Sequence, residues 1–81
     1  MIVKLLAAET DLTSATNVNS ATLVRVLNTG SAAVVTRKDF GGNTIGTVTL
    51  AANEVAYLDK EPSDTLEGGS GFKAVKIAYS N

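Results

Sequence analysis

The chain has 81 residues, 7 basic and 8 acidic side chains for a formal net charge of -1, and no cysteine or histidine. One domain fits that length, and a domain this short buries so little surface that it needs close packing or partner chains once disulfides are excluded. A Ser-His-Asp or Cys-His centre is excluded, the commonest metal ligand is missing, and the balanced charge argues against duplex binding, which needs a basic excess.

No apolar run reaches the roughly 18 residues that a membrane-crossing helix needs, so no membrane partner is expected. The start, MIVKLLAAET, is briefly apolar but carries Lys4 inside it and is followed by no cleavage pattern. It reads as the start of a cytoplasmically made protein rather than a secretory leader. Ile2 to Ala8 is too short for periodicity to choose between strand and helical turn. Glu9 to Ser20 is rich in Thr, Ser and Asn, whose side chains bond their own backbone and favour loops. Residues 1–21 are therefore expected to form an extended arm, with a short edge strand near Ala15 to Val18, lying beside a core of residues 22–81.

Four β-rich runs follow between Thr22 and Lys60. Thr22 to Asn28 is apolar on both faces apart from Arg25, as a central strand would be. Asn28-Thr29-Gly30-Ser31 is a turn in which Gly30 is free to take positive φ. Ala33 to Lys38 is apolar at Val34 and Val35 and turns polar toward its end. Gly41-Gly42 marks a hairpin, and Thr44 to Leu50 returns from it with Val48 and Leu50 as the expected buried pair. Ala51 to Glu54 is a turn. Val55 to Lys60 alternates, with Val55 and Tyr57 on one face and Ala56 and Leu58 on the other. The expected core of this stretch is Leu23, Val24, Val26, Val34, Ile45, Val48, Leu50, Val55 and Leu58.

Glu61 to Gly71 reads as irregular. Pro62 stops pairing, Ser63 could cap one helical turn, and Gly68 to Gly71 reads as a flexible connection. Phe72 to Tyr79 is the closing strand, with Val75, Ile77 and Tyr79 opposite Phe72, Ala74, Lys76 and Ala78. The pattern predicts an all-β domain, a small antiparallel sandwich (Ig-like or jelly-roll-like) or partly open barrel of six or seven short strands.

Chemistry is sparse. Asp59, Glu61, Asp64 and Glu67 cluster around one loop, but they read as solvated turn and cap carboxylates, not an acid-base pair. The same oxygens with Ser63 are a weak candidate for Ca²⁺, since the spacing is not that of an EF-hand and Lys60 interrupts it. The glycine loop lacks the Lys and following helix of a phosphate loop. Phe40 is expected to fold back over a sheet end; exposed, it would anchor a protein contact or offer a sugar platform. Arg37 and Lys38 form a basic tip suited to an acidic partner surface. The candidate partner-contact residues are thus Arg37, Lys38, Phe40, Asp59, Glu61, Asp64 and Glu67, with no catalytic, cofactor or metal residue assigned.

Three segments, ATLVRVLNTGSAAVVTRKD, GTVTLAANEVAYLDKEPSDTL and KAVKIAYSN, together resemble small virion-associated structural proteins of tailed bacteriophages, particularly those of marine cyanobacterial phages. The resemblance covers most of the chain after Ala21 and includes no catalytic motif. It implies a β-sandwich that decorates or cements a capsid, or forms part of a neck or tail. The expected partners are further copies of the chain, with a trimer as the first expectation, or a capsid or tail protein, and the expected location is the virion. No cofactor or nucleic acid is expected. The alternative is a small module binding carbohydrate or Ca²⁺.

Overall fold

The computed structural model describes residues 2–80 and is all-β, with eight strands in two antiparallel sheets. They are β1 (Ile2–Leu5), β2 (Thr10–Leu12), β3 (Leu23–Asn28), β4 (Ala33–Lys38), β5 (Thr44–Leu50), β6 (Val55–Asp59), β7 (Thr65–Glu67) and β8 (Gly69–Ser80). The larger sheet runs β1-β8-β3-β6, with β2 also on β8; the smaller runs β5-β4-β7. β8 is the spine. It pairs with β3 through Phe72 to Lys76, with β2 near its start, and with β1 from Ile77 onward.

The five strands expected between Thr22 and Tyr79 form, and β3 is central as its two-faced apolar pattern requires. Three short strands, β1, β2 and β7, join them. Thr65–Glu67 pairs with β4 where a helical turn was expected, because Leu66 is drawn into the core. Residues 68–71 are no flexible connection either. Gly69 and Gly71 hold φ of +88° and +98°, values open to glycine, and the chain bends there from the smaller sheet into β8. Gly30, by contrast, does not take positive φ; the tight position is Gly71, where a Cβ would meet the Gly30 backbone nitrogen at 3.3 Å.

The buried core comes from both sheets and from the N-terminal segment: Leu12, Val18, Ala21, Val24, Val26, Val35, Leu50, Leu66, Phe72 and Ala74. Leu23 and Leu58 are half-buried. Val34, Ile45, Val48 and Val55, all expected inside, are exposed. Each sheet covers the other on one face alone, so an apolar residue on the outer face or at an uncovered edge stays in water whatever its hydropathy.

Residues 1–21, read as an arm, are largely built into the domain. β1 and β2 extend the larger sheet, and Leu12, Val18 and Ala21 have no exposed surface. Beyond β2 the arm reaches the smaller sheet, where Thr16 and Leu66 exchange backbone hydrogen bonds of 3.1 and 2.9 Å. It then turns through Val18, Asn19 and Ser20, all with φ between 52° and 58°. Left-handed residues of this kind cost about 1–2 kcal/mol each. Burial of Val18 and Ala21, with bonds from Ala21 N–H to the Asn17 and Val18 carbonyls, holds the turn.

Candidate interaction surface

The tip and the acidic loop, separate in sequence, meet in the fold. β4 carries Arg37 and Lys38 to the end of the smaller sheet, where β7 lies beside it. The Arg37 guanidinium donates to Asp64 Oδ2 through Nε at 2.9 Å and Nη2 at 2.5 Å, and the Glu61 N–H donates to the same oxygen at 3.0 Å. Lys38 Nζ reaches Glu67 Oε1 at 2.7 Å. Four of the seven expected contact residues are thereby paired with one another.

Asp64 is 4% exposed, and the Arg37 hydrogen bond is the main reason its carboxyl sits below the usual aspartate value. Lys60 is buried at 2% exposure; its Nζ donates to the Glu61 carbonyl at 3.2 Å, and burial pushes its pKa down while Asp64 partly offsets the effect. This cluster reads as a clamp. It pins the loop after β6 to the end of the smaller sheet and satisfies the charges internally. Asp59 and Glu61 remain exposed at its margin. No group of three metal-ligating side chains comes together among the described residues.

Phe40 does not fold back. It stands 88% exposed at the top of the β4–β5 hairpin. The turn is set by Asp39, whose Oδ1 accepts from Asn43 N–H at 2.9 Å, and by Gly42 at φ +86°. Those bonds fix the backbone and leave the ring no neighbouring sheet to cover it.

A second surface escaped the sequence reading. On the outer face of the larger sheet, cross-strand register puts Tyr57, Arg25 and Val75 in one row and Leu5 beside Ile77. Val75 and Ile77 are buried there, but Tyr57 and Tyr79 are 41% and 51% exposed, with ring centroids 6.5 Å apart, and Leu5 is 70% exposed. Arg25 Nη1 lies 3.9 Å from Glu9 Oε2 beside them. Leu5, Glu9, Arg25, Tyr57 and Val75, together with Val3, Ala7 and Ala8, line a shallow depression of about 610 Å³. The alternation of β6 and β8 had placed these tyrosines with apolar neighbours; nothing in it said which face would stay uncovered.

No protein family, curated protein or solved structure matches the chain. The assembly reading therefore rests on the geometry of its surfaces.

A third feature is a cleft of about 190 Å³ where the sheets part between β5 and β6. Its lining is mainly apolar, with Val35, Val48, Leu58 and Leu66 beside Gly46 and Arg37. Val48 points to this side, opposite Val35 in register, yet stays 39% exposed. Water reaches it because no strand among the described residues covers the gap.

Proposed function

We propose that this chain is a non-enzymatic structural and assembly protein, working through protein–protein contacts as a component of a tailed-phage virion that decorates or cements the capsid or belongs to the neck or tail. The observation that carries the assembly reading is the outer face of the larger sheet, where Leu5, Val55, Tyr57 and Tyr79 leave apolar and aromatic surface uncovered. Contiguous apolar patches of this kind mark contact sites, and tyrosine is well suited to them because a large apolar ring carries a polar tip. The charged clamp supports the same reading, since Arg37, Lys38, Asp64 and Glu67 are spent on pairing with one another and holding a loop. The virion placement comes from the resemblance of the three segments named above.

Mass spectrometry of purified particles tests it. The chain is expected in virions, and Tyr57→Lys with Tyr79→Lys is expected to abolish incorporation while the fold survives. Its absence from particles would sink the virion placement.

One observation favours a second reading, carbohydrate binding. The tilted Tyr57–Tyr79 pair beside the Arg25–Glu9 ion pair offers ring faces next to polar groups. A sugar panel followed by tyrosine fluorescence separates the two, because saturable quenching lost in Tyr57→Ala belongs to sugar binding alone.

A further inference from the structure

Edge strands offer rows of unpaired N–H and C=O groups to any other extended chain, and proteins blunt them with charge, proline, bulges or a covering segment. The other edges of this molecule follow that rule. β1 carries Lys4, β2 carries Asp11, β6 ends in the exposed Asp59 with Glu61 just beyond, and β7 is covered by Thr16. β5 is different. It holds no charged residue, and none occurs from Phe40 to Asn53. Among the described residues it pairs with β4 alone, and six of its seven residues are exposed. Its one irregularity is a register shift at its start, which leaves Gly46 to Leu50 in unbroken register with Arg37 to Ala33.

We infer that β5 is a homotypic docking edge: β5 of a second copy lies antiparallel against it about a two-fold axis, making one continuous sheet from the two smaller sheets. The inference rests on the assembly reading and names its first partner. Charge selects that partner. A neutral strand attracts no charged one, whereas a second β5 is neutral, equally long and rich in Thr, Val and Ile, which pair well across antiparallel strands. Two-fold pairing also consumes both edges, so the contact closes instead of growing into a fibre. Val48, on the inward face at the mouth of the cleft, then gains neighbours from the added strand in place of water.

The experiment is light scattering of the full chain over a concentration series, with Thr47→Lys, an exposed outer-face change on β5, and Tyr57→Lys on the larger sheet. Melting curves confirm that each variant folds. The wild-type chain is expected to dimerise, and Thr47→Lys to weaken the dimer more than about tenfold, because like charges then meet across the axis, while Tyr57→Lys leaves it intact. Introduced Thr47→Cys adds a second readout, since the chain has no other thiol: oxidation should give a covalent dimer. A dimer indifferent to Thr47→Lys overturns the inference, and so does a wild-type chain that stays monomeric throughout. A monomer that loses particle incorporation through Thr47→Lys overturns it in favour of a strand from another protein. In each of these cases the assembly reading stands or falls separately, on whether the chain is found in particles.

Discussion

Along one side of the paired sheets the chain ties them together; along the other it lets them part. On the tied side, Gly68 N–H donates to the Leu12 carbonyl at 2.9 Å, Thr16 and Leu66 bond each other, and β7 bends directly into β8. On the open side, β5 and β6 are joined by the turn at Ala51 to Glu54 and then separate around the cleft lined by Val35, Val48 and Leu58. The same small domain thus has one side whose side chains cannot change without loss of packing and one whose side chains are hardly constrained by the monomer.

The sharpest break of that contrast is at Gly68. Its φ is ordinary, so alanine there would meet no backbone penalty, but a Cβ would lie 2.7 Å from Phe72 Cδ2. Phe72 has no exposed surface, and truncation to alanine is expected to cost about 3–5 kcal/mol, a large share of the stability of so small a domain. At about 4–8 °C per kcal/mol, Phe72→Ala should lower the melting temperature by more than about 12 °C. Gly68→Ala should also destabilise strongly, and it should do so much less in a Phe72→Leu background, because the clash is with the ring. Denaturant unfolding of the double-mutant cycle measures that coupling. Additive costs would show that the contact is not what constrains Gly68.

Asn28 tests the junction where the two sides meet. It is buried at the end of β3, and its Nδ2 donates to the carbonyls of Ser31 at 2.9 Å, Leu50 at 3.0 Å and Ala51 at 3.2 Å, while its Oδ1 accepts from Gly30 N–H. It thereby staples the end of β5 to the larger sheet. Asn28→Ala leaves the Leu50 carbonyl without this partner and is expected to cost about 1–3 kcal/mol by chemical unfolding. Asn28→Asp should cost more, since a carboxylate oxygen would face carbonyl oxygens. An aspartate variant as stable as wild type would remove the staple from the account.

Much of this was legible in the chain and much was not, for identifiable reasons. The strands came through because alternation and turn residues are local: the Gly41-Gly42 hairpin and the alternation of Val55 to Asp59 fold as read. Partnership between strands is not local. Whether Val34 or Val35 faces the core depends on which face the other sheet covers, and both are equally apolar in sequence. The same limit hid Leu12, Val18 and Ala21 among polar neighbours, where one apolar side chain per turn is enough to seal a core. At the surface, the basic tip at Arg37 and Lys38 and the acidic loop carrying Asp64 and Glu67 stand out separately by their charge, but charge could not reveal that they answer one another.

The clamp formed by those residues gives a pH-dependent prediction on the closed end of the open side. Asp64 has a folded pKa below its ordinary 3.8, set first by the Arg37 hydrogen bond. Its contribution is therefore fully present above the unfolded value and is lost as pH falls through the lowered folded one. Wild-type melting temperature should decline below about pH 4, and Asp64→Asn should show lower stability at neutral pH with a shallower acid decline. Equal slopes for the two proteins would mean that other carboxylates carry the acid response.

The smallest effect expected is the most informative about the open side. Val34 and Ile45 are each nearly half exposed, on the smaller sheet's outer face and in the irregular start of β5. Val34→Thr and Ile45→Thr remove little buried surface and keep a β-branched side chain, so each should change monomer stability by less than about 0.5 kcal/mol. In Phe72 or Leu66 a change of comparable size would be felt throughout the core. A large loss in Val34→Thr would mean that something covers this face even in the isolated chain. Near-neutral stability combined with weaker self-association would place the constraint on these apolar residues outside the monomer. It would explain why an 81-residue chain keeps valine and isoleucine where its own fold leaves them in water.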